Sequence, residues 1–220
     1  MDRTGPEQGP RVEPRVDASE ALASKLRTLI QLIELISSSL DTDGILRQIA
    51  AAAVRLSDAR CVSLWVADEA TRTVELRACS DAAIGAGHPR PRLTYGQGVA
   101  GWVTLHHEPI KADDLRKTPM LARDWYAAHG LLSLYALPIL YQESVVGVLV
   151  LMAEQPFDLE RDGYEILEAL IAEAGAAIRN SRLLAESERC RRTAEALAEL
   201  SRLSSETLDL GTEEIGRAHV

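Results

Sequence analysis

The chain has 220 residues, 46% hydrophobic, 26% charged and only 4% aromatic, which is the profile of a globular domain and excludes a disordered or fibrous chain. A formal net charge of −9, with Lys and Arg scattered along the sequence, argues against a phosphate-tracking surface, and no nucleic-acid partner is expected. Three Cys, none in C-x-x-C or zinc-type spacing, exclude a fully paired disulfide framework; no apolar run approaches the roughly 20 residues of a membrane span, so a reducing cytoplasm is the expected setting.

Residues 1–18 carry Pro6, Pro10 and Pro14 among mixed charges without apolar periodicity, and are expected to form a disordered tail. Across residues 19–40, Leu22, Leu26, Leu29, Ile33, Ile36 and Leu40 fall at alternating steps of four and three. That pattern predicts a signalling helix with a narrow apolar seam, packed either on a partner helix or on its own domain. After the turn Asp41 to Asp43, a second helix buries Ile45, Leu46, Ile49, Ala50, Ala53, Val54 and Leu56, opened by a capping Asp or Thr. The period then drops to two. Val62, Leu64 and Val66 alternate with Ser63, Trp65 and Ala67, and a second run from Val74 to Cys79 completes a hairpin. Asp81 to Pro91, rich in Gly, Pro and Ala, is expected to be a loop.

Tyr95 to Leu105 is a glycine-rich lead into a short helix, Pro109 to Ala112 a short extended piece, and Met120 to His129 a small helix bearing Trp125 and Tyr126. Leu131 to Leu140 and Val145 to Met152 are apolar almost throughout, as strands covered on both faces are. From Tyr164 to about Leu208 the composition predicts one long helix, with Leu167, Leu170, Ala174, Ala177, Ser181 and Leu184 on one seam. Leu29, Leu32, Leu35, Leu40 and Asp41 recur as Leu197, Leu200, Leu203, Leu208 and Asp209 at a constant offset of 168, so residues 181–210 are expected to be a linker helix that begins a second module. Residues 211–220 are taken as an incomplete or artefactual end: back-translation of Ile215 to Val220 reproduces a common sequencing adapter, and the biological chain is expected to be longer.

Five stretches in this order resemble the GAF domain family: Ser63 to Asp68, Gly96 to Val103, Glu108 to Ile110 running into Asp113-Asp114, Gly130 to Leu140, and Val146 to Leu151 with Pro156-Phe157. Together they cover residues 41–180. The resemblance implies an α+β fold with a central antiparallel sheet of about six strands and helices on both faces. Long, coiled-coil-like N- and C-terminal helices and a pocket enclosed by short helices and loops complete that expectation. Family members hold cyclic nucleotides, bilins, haem, metabolites or nothing detectable in that pocket, and the fold does not choose among them.

Gly96, Gly98 and Gly101 match G-x-G-x-x-G, but Pro89 to Thr94 is no buried parallel strand and no βαβ unit surrounds it, so the glycines are expected to shape a turn rather than bind a dinucleotide. The Asn-Lys pair that the family's cyclic-nucleotide binders tend to carry is replaced by Ala153-Glu154, and Asp162 is displaced, which disfavours a cyclic nucleotide. Cys61 and Cys79 fall in predicted strands and Cys190 in the long helix, which disfavours a covalent bilin and makes the first two small buried hydrophobes. His106, His107, His88 and His129 lack ligand spacing, and no metal is expected. No paired nucleophile and base stands out, so no catalytic residue is assigned. The resemblance places Trp65, Arg77, Val99, Trp102, Asp113, Trp125, Tyr126, Ser133 and Tyr135 around the pocket, with the aromatics either walling a ligand or filling the core in its place.

The expected function is a cytoplasmic small-molecule-sensing input module of a signal-transduction protein, not itself an enzyme and with no cofactor assigned. A homodimer through its flanking helices would relay occupancy to an output domain, such as a histidine kinase, outside this sequence. The alternatives are a non-sensing dimerisation spacer and a thiol-dependent free methionine sulfoxide reductase.

Overall fold

A computed structural model describes residues 41–118, 123–157 and 161–217. The tail expected at 1–18, the seamed helix at 19–40 and the start of the small helix at Met120 lie outside the described residues.

Helix α1 (Thr42–Leu56) buries Ile45, Leu46, Ile49, Ala50, Ala53 and Leu56, the face its 3.6-residue period defines. Asp41 stands at its N-cap without a side-chain cap bond, contrary to the expectation, and its carboxylate faces Arg47 at 3.4 Å instead. Among the described residues six strands follow: β1 (Cys61–Asp68), β2 (Thr73–Cys79), β3 (Arg92–Thr94), β4 (Ile110–Ala112), β5 (Ser133–Tyr141) and β6 (Ser144–Ala153). They form one sheet in the order β3-β2-β1-β6-β5-β4, with every neighbouring pair antiparallel. The segment expected as a loop contains a short helix, α2 (Ala82–Ala86), because Asp81 Oδ1 accepts from the backbone N–H groups of Ala83 and Ile84 at 3.0 and 3.1 Å. Helices α3 (Gly98–His106) and α4 (Arg123–Ala128) lie in the connections before β4 and β5, and α5 (Arg161–Arg217) is the last described element.

Alternation sorts the central strands into two cores. Val62 and Leu64 of β1, Tyr135 and Ile139 of β5, and Leu149 and Leu151 of β6 pack with α1 and with Leu167, Leu170, Ala174 and Ile178 of α5. Cys61 and Trp65, Leu134 and Ala136, and Val148 and Val150 pack on the opposite face with Val99 and Val103 of α3, Leu115 and Tyr126. The first half of the long helix's seam is therefore core of its own domain. Beyond it the helix leaves the sheet: Leu183, Leu184, Leu197 and Leu200 are 45, 52, 60 and 61% exposed.

The glycine motif shapes a turn. Gly96 and Gly98 take φ of +83° and +61°, and the Gly96 N–H donates to the Gly101 carbonyl at 2.7 Å. A Cβ at Gly101 would lie 2.3 Å from the Thr94 carbonyl oxygen, so the start of α3 can approach β3 only without a side chain there. Gly101→Ala is expected to cost about 1–3 kcal/mol, because backbone rather than a flexible side chain must yield; urea denaturation followed by circular dichroism measures it.

Candidate functional site

A cavity of about 300 Å³ lies between the sheet and the short helices on the face away from α1 and α5. Ser63 and Trp65 of β1 and Val150 and Met152 of β6 form its floor, since these residues share the outward parity of two paired strands. Leu93 and the first turn of α3 close one side, Trp125 and Tyr126 of α4 another, and His88, Pro89 and Arg90 the rim. Its size is at the lower end for small-molecule sites, and its walls divide about evenly between polar and apolar surface, with Trp65, Trp125 and Tyr126 supplying the aromatic part.

The polar tips are held in place. Trp65 Nε1 donates to Ser63 Oγ at 3.1 Å, and Trp125 Nε1 donates to the Gly87 carbonyl at 2.8 Å. The His88 ring lies between the two indoles, 5.1 Å from Trp65 and 4.7 Å from Trp125, in edge contacts. Burial pushes the His88 imidazole below its ordinary pKa, and it pushes the Tyr126 phenol up to about 12, so both groups are neutral at pH 7. Gln97 at the N-cap of α3 makes no cap bond; its Oε1 faces Thr94 instead, which leaves the α3 first turn aimed at the cavity without a side-chain acceptor from its cap. Arg90 is the cation at the rim. Among the described residues, no group of three or more His, Cys, Asp or Glu side chains is placed to hold a metal ion.

Of the nine residues assigned from sequence, Trp65, Val99, Trp125 and Tyr126 line the cavity. The other five lie elsewhere. Ser133 and Tyr135 pair with Ala153 and Leu151, which belong to the helix-side core, so their parity turns them away from the cavity. The Ser133 hydroxyl donates to the Gln155 carbonyl, and the Tyr135 ring meets Tyr164 edge-on at 5.9 Å. Arg77 occupies a bulge between the Leu64↔Ala78 and Trp65↔Leu76 pairs and reaches Asp43 Oδ1 at the start of α1, 2.7 Å away. Trp102 stacks on His106 at 4.1 Å, and exposed Asp113 faces Lys111 at 3.6 Å. The sequence reading set aside His88 and did not single out Met152. Both come from segments whose relation to Trp65 only the tertiary fold defines; Pro89 and Pro91 flanking a rigid rim are the sole local hint.

The family model for the GAF domain matches residues 39–179. Among solved structures, the fold is similar to the GAF domain of an Acinetobacter phosphoenolpyruvate-protein phosphotransferase, at 20% identity and a TM-score of 0.61, covering 74% of this chain and 98% of that one. It is similar to a free methionine-R-sulfoxide reductase from Neisseria meningitidis, solved in complex with its substrate, at 17% identity and a TM-score of 0.59, covering 74% and 92%. It is also similar to residues 122 to 287 of a methyl-accepting chemotaxis protein, at 20% identity and a TM-score of 0.56, covering 70% and 98%.

The burial of His88 has a pH consequence. Its folded pKa lies below the ordinary 6.5, so between the two values the unfolded chain binds more protons than the folded one. The stability from a neutral, buried imidazole is whole above about pH 6.5 and is lost as pH falls through the folded value. His88→Gln is expected to lose less stability than the wild type between about pH 7.5 and pH 5, read from thermal melting at each pH.

Proposed function

The chain belongs to the GAF domain family, and from that premise we propose that it is a cytoplasmic sensing module in which occupancy of the aromatic cavity sets the disposition of the flanking helices. The observation that carries this reading is the half-open cavity floored by Trp65, whose own strand also packs against the helices. Leu64, next to Trp65, belongs to the helix-side core, and Arg182 of α5 donates to the Ala67 carbonyl two residues along β1. A molecule that moves the Trp65 indole thereby displaces the strand that anchors α5. It biases the helices only by the difference in its affinity for their two arrangements.

The walls favour a small, flat molecule with an apolar body to lie against the indoles and an acceptor or anionic group for Arg90 and the first turn of α3. Aromatic and branched carboxylates fit that description. Leu183, Leu184, Leu197 and Leu200 form the apolar part of α5 beyond the sheet, and two copies pairing there give the dimer through which the signal leaves. The domain itself catalyses nothing; any enzymatic output belongs to a partner domain. No described helix is long and apolar enough to cross a membrane.

A second reading, thiol-dependent reduction of methionine sulfoxide, has one observation in its favour: Cys61 and Cys79 bring their sulfurs within 3.4 Å. Neither sulfur lines the cavity, so a sulfoxide seated there meets Ser63, Trp65 and Met152 first.

Thermal-shift screening of the chain against amino, keto and aromatic acids, nucleotides, haem and bilins separates these readings. The sensing module predicts stabilisation by one small acid class, about 2.7 kcal/mol at 100 times its dissociation constant, which Trp125→Ala abolishes. A melting temperature unmoved by every compound leaves only a spacer, and reduction of free methionine sulfoxide that disappears in Cys61→Ala establishes the reductase. Sedimentation is expected to show a dimer that Leu197→Glu weakens at least tenfold; an unaltered monomer in both contradicts the proposed interface.

A further inference from the structure

Two thiols meet on the cavity side of the sheet where β1 begins and β2 ends. The β1–β2 register sets Ser63 opposite Cys79, so Cys61 is the diagonal neighbour of Cys79 on the same face, a position within side-chain reach. Their sulfurs are 3.4 Å apart, and both thiols are free. Cys61 is fully buried, Cys79 half-buried. The Ser80 hydroxyl is 3.7 Å from Cys61 Sγ, and the Ser80 N–H donates to the Val62 carbonyl at 2.8 Å, which fixes the two strands against each other at this point. The hydrogen bond from Cys79, opposed by burial, brings Cys61 down to about 7, while the same contact and burial push Cys79 up: the pair readily gives up one proton and keeps the other between its sulfurs.

The pair is mechanically joined to the cavity rim. A Cβ at Gly85 of α2 would lie 2.8 Å from Cys79 Cβ, so α2 rests directly on this side chain. Two residues later Gly87 accepts from Trp125 Nε1, and His88 enters the cavity wall. Closing an S–S bond brings the sulfurs from 3.4 Å to about 2.05 Å, and Cys79 cannot follow without α2 and the rim adjusting.

We infer that Cys61 and Cys79 form a reversible dithiol–disulfide site, oxidised by a small hydroperoxide, whose closure resets the His88–Trp125 wall of the cavity. The one proton the pair keeps passes across the 3.4 Å contact to Cys61, so that Cys79, the more open sulfur, attacks one peroxide oxygen as the thiolate; the O–O bond breaks, the leaving oxygen takes the proton from Cys61 and departs as water or alcohol, and Cys79 becomes a sulfenic acid. The Cys61 thiolate then attacks the Cys79 sulfur, the S–O bond breaks, and the hydroxide takes up a solvent proton to leave as water. Two thiols are oxidised to one disulfide and one peroxide is reduced. A low-molecular-weight thiol reverses the reaction by exchange. The site needs nothing bound in the cavity and stands whether or not the chain is a sensor.

The test uses the full chain carrying Cys190→Ser, which removes the exposed thiol that would otherwise link two copies. The protein is treated with hydrogen peroxide, then digested without reduction for mass spectrometry, with indole fluorescence recorded before and after. The expected result is a Cys61–Cys79 cross-linked peptide, reversed by dithiothreitol, together with a shift in tryptophan emission that is absent when Cys61→Ser is added. Cys79 recovered as free thiol or as sulfinic acid, with no cross-link, overturns the site. A cross-link formed with unchanged emission overturns its connection to the cavity wall.

Discussion

The antiparallel pairing of β1 with β6, running without a shift from Cys61↔Met152 to Val66↔Gly147, is the constraint on which both faces of the domain depend. Each strand must be apolar on both sides, because α1 and α5 cover one face and the short helices cover the other. A one-residue slip would exchange the two sets of side chains, sending Trp65 and Val150 toward the helices and Leu64 and Leu149 toward the cavity. Gly147 protects the register at its end: a Cβ there would lie 2.4 Å from the Trp65 carbonyl oxygen, so the strands close together only where β6 has no side chain.

The same pairing makes the sheet a mechanical partition. Cavity residues and helix-side residues alternate along one backbone, so a displacement of Trp65 on one face is transmitted to Leu64 on the other through a single peptide unit. Arg182, bound to the Ala67 carbonyl, sits where α5 changes from a buried core helix to an exposed one. In the proposed relay that residue is the pivot for the outer half of α5. Tight packing favours two discrete arrangements over gradual bending, which is what the proposed sensing role requires.

Much of the architecture was legible from periodicity. The alternation of Val62, Leu64 and Val66 against Ser63, Trp65 and Ala67 placed β1, and the apolar runs after Gly130 identified two strands buried on both faces. Those runs also explain where the reading failed. When both faces are apolar, alternation says which residues share a face but not which face meets the helices, so Ser133 and Tyr135 were put on the wrong side. Arg77 was misplaced by a bulge that has no sequence signal of its own. Trp65, Val99, Trp125 and Tyr126, which line the cavity, were named because large apolar residues are few and fell on segments the family resemblance placed near the pocket. His88 was overlooked because its partners, Trp65 and Trp125, are distant in sequence, and the contact of Cys61 with Cys79 required the register of the hairpin.

The central claim, that the cavity and the outer half of α5 are one mechanical unit, is tested most directly by a distance. Cys190 is exposed on α5 and accepts a spin label when Cys61 and Cys79 are replaced by Ser. Double electron–electron resonance between labels on the two protomers of the proposed dimer, with the cavity empty and then saturated with a stabilising acid, should give two different distance distributions, and Trp65→Ala should reduce the difference. A single distribution that ignores occupancy, or no measurable distance between protomers, contradicts the account.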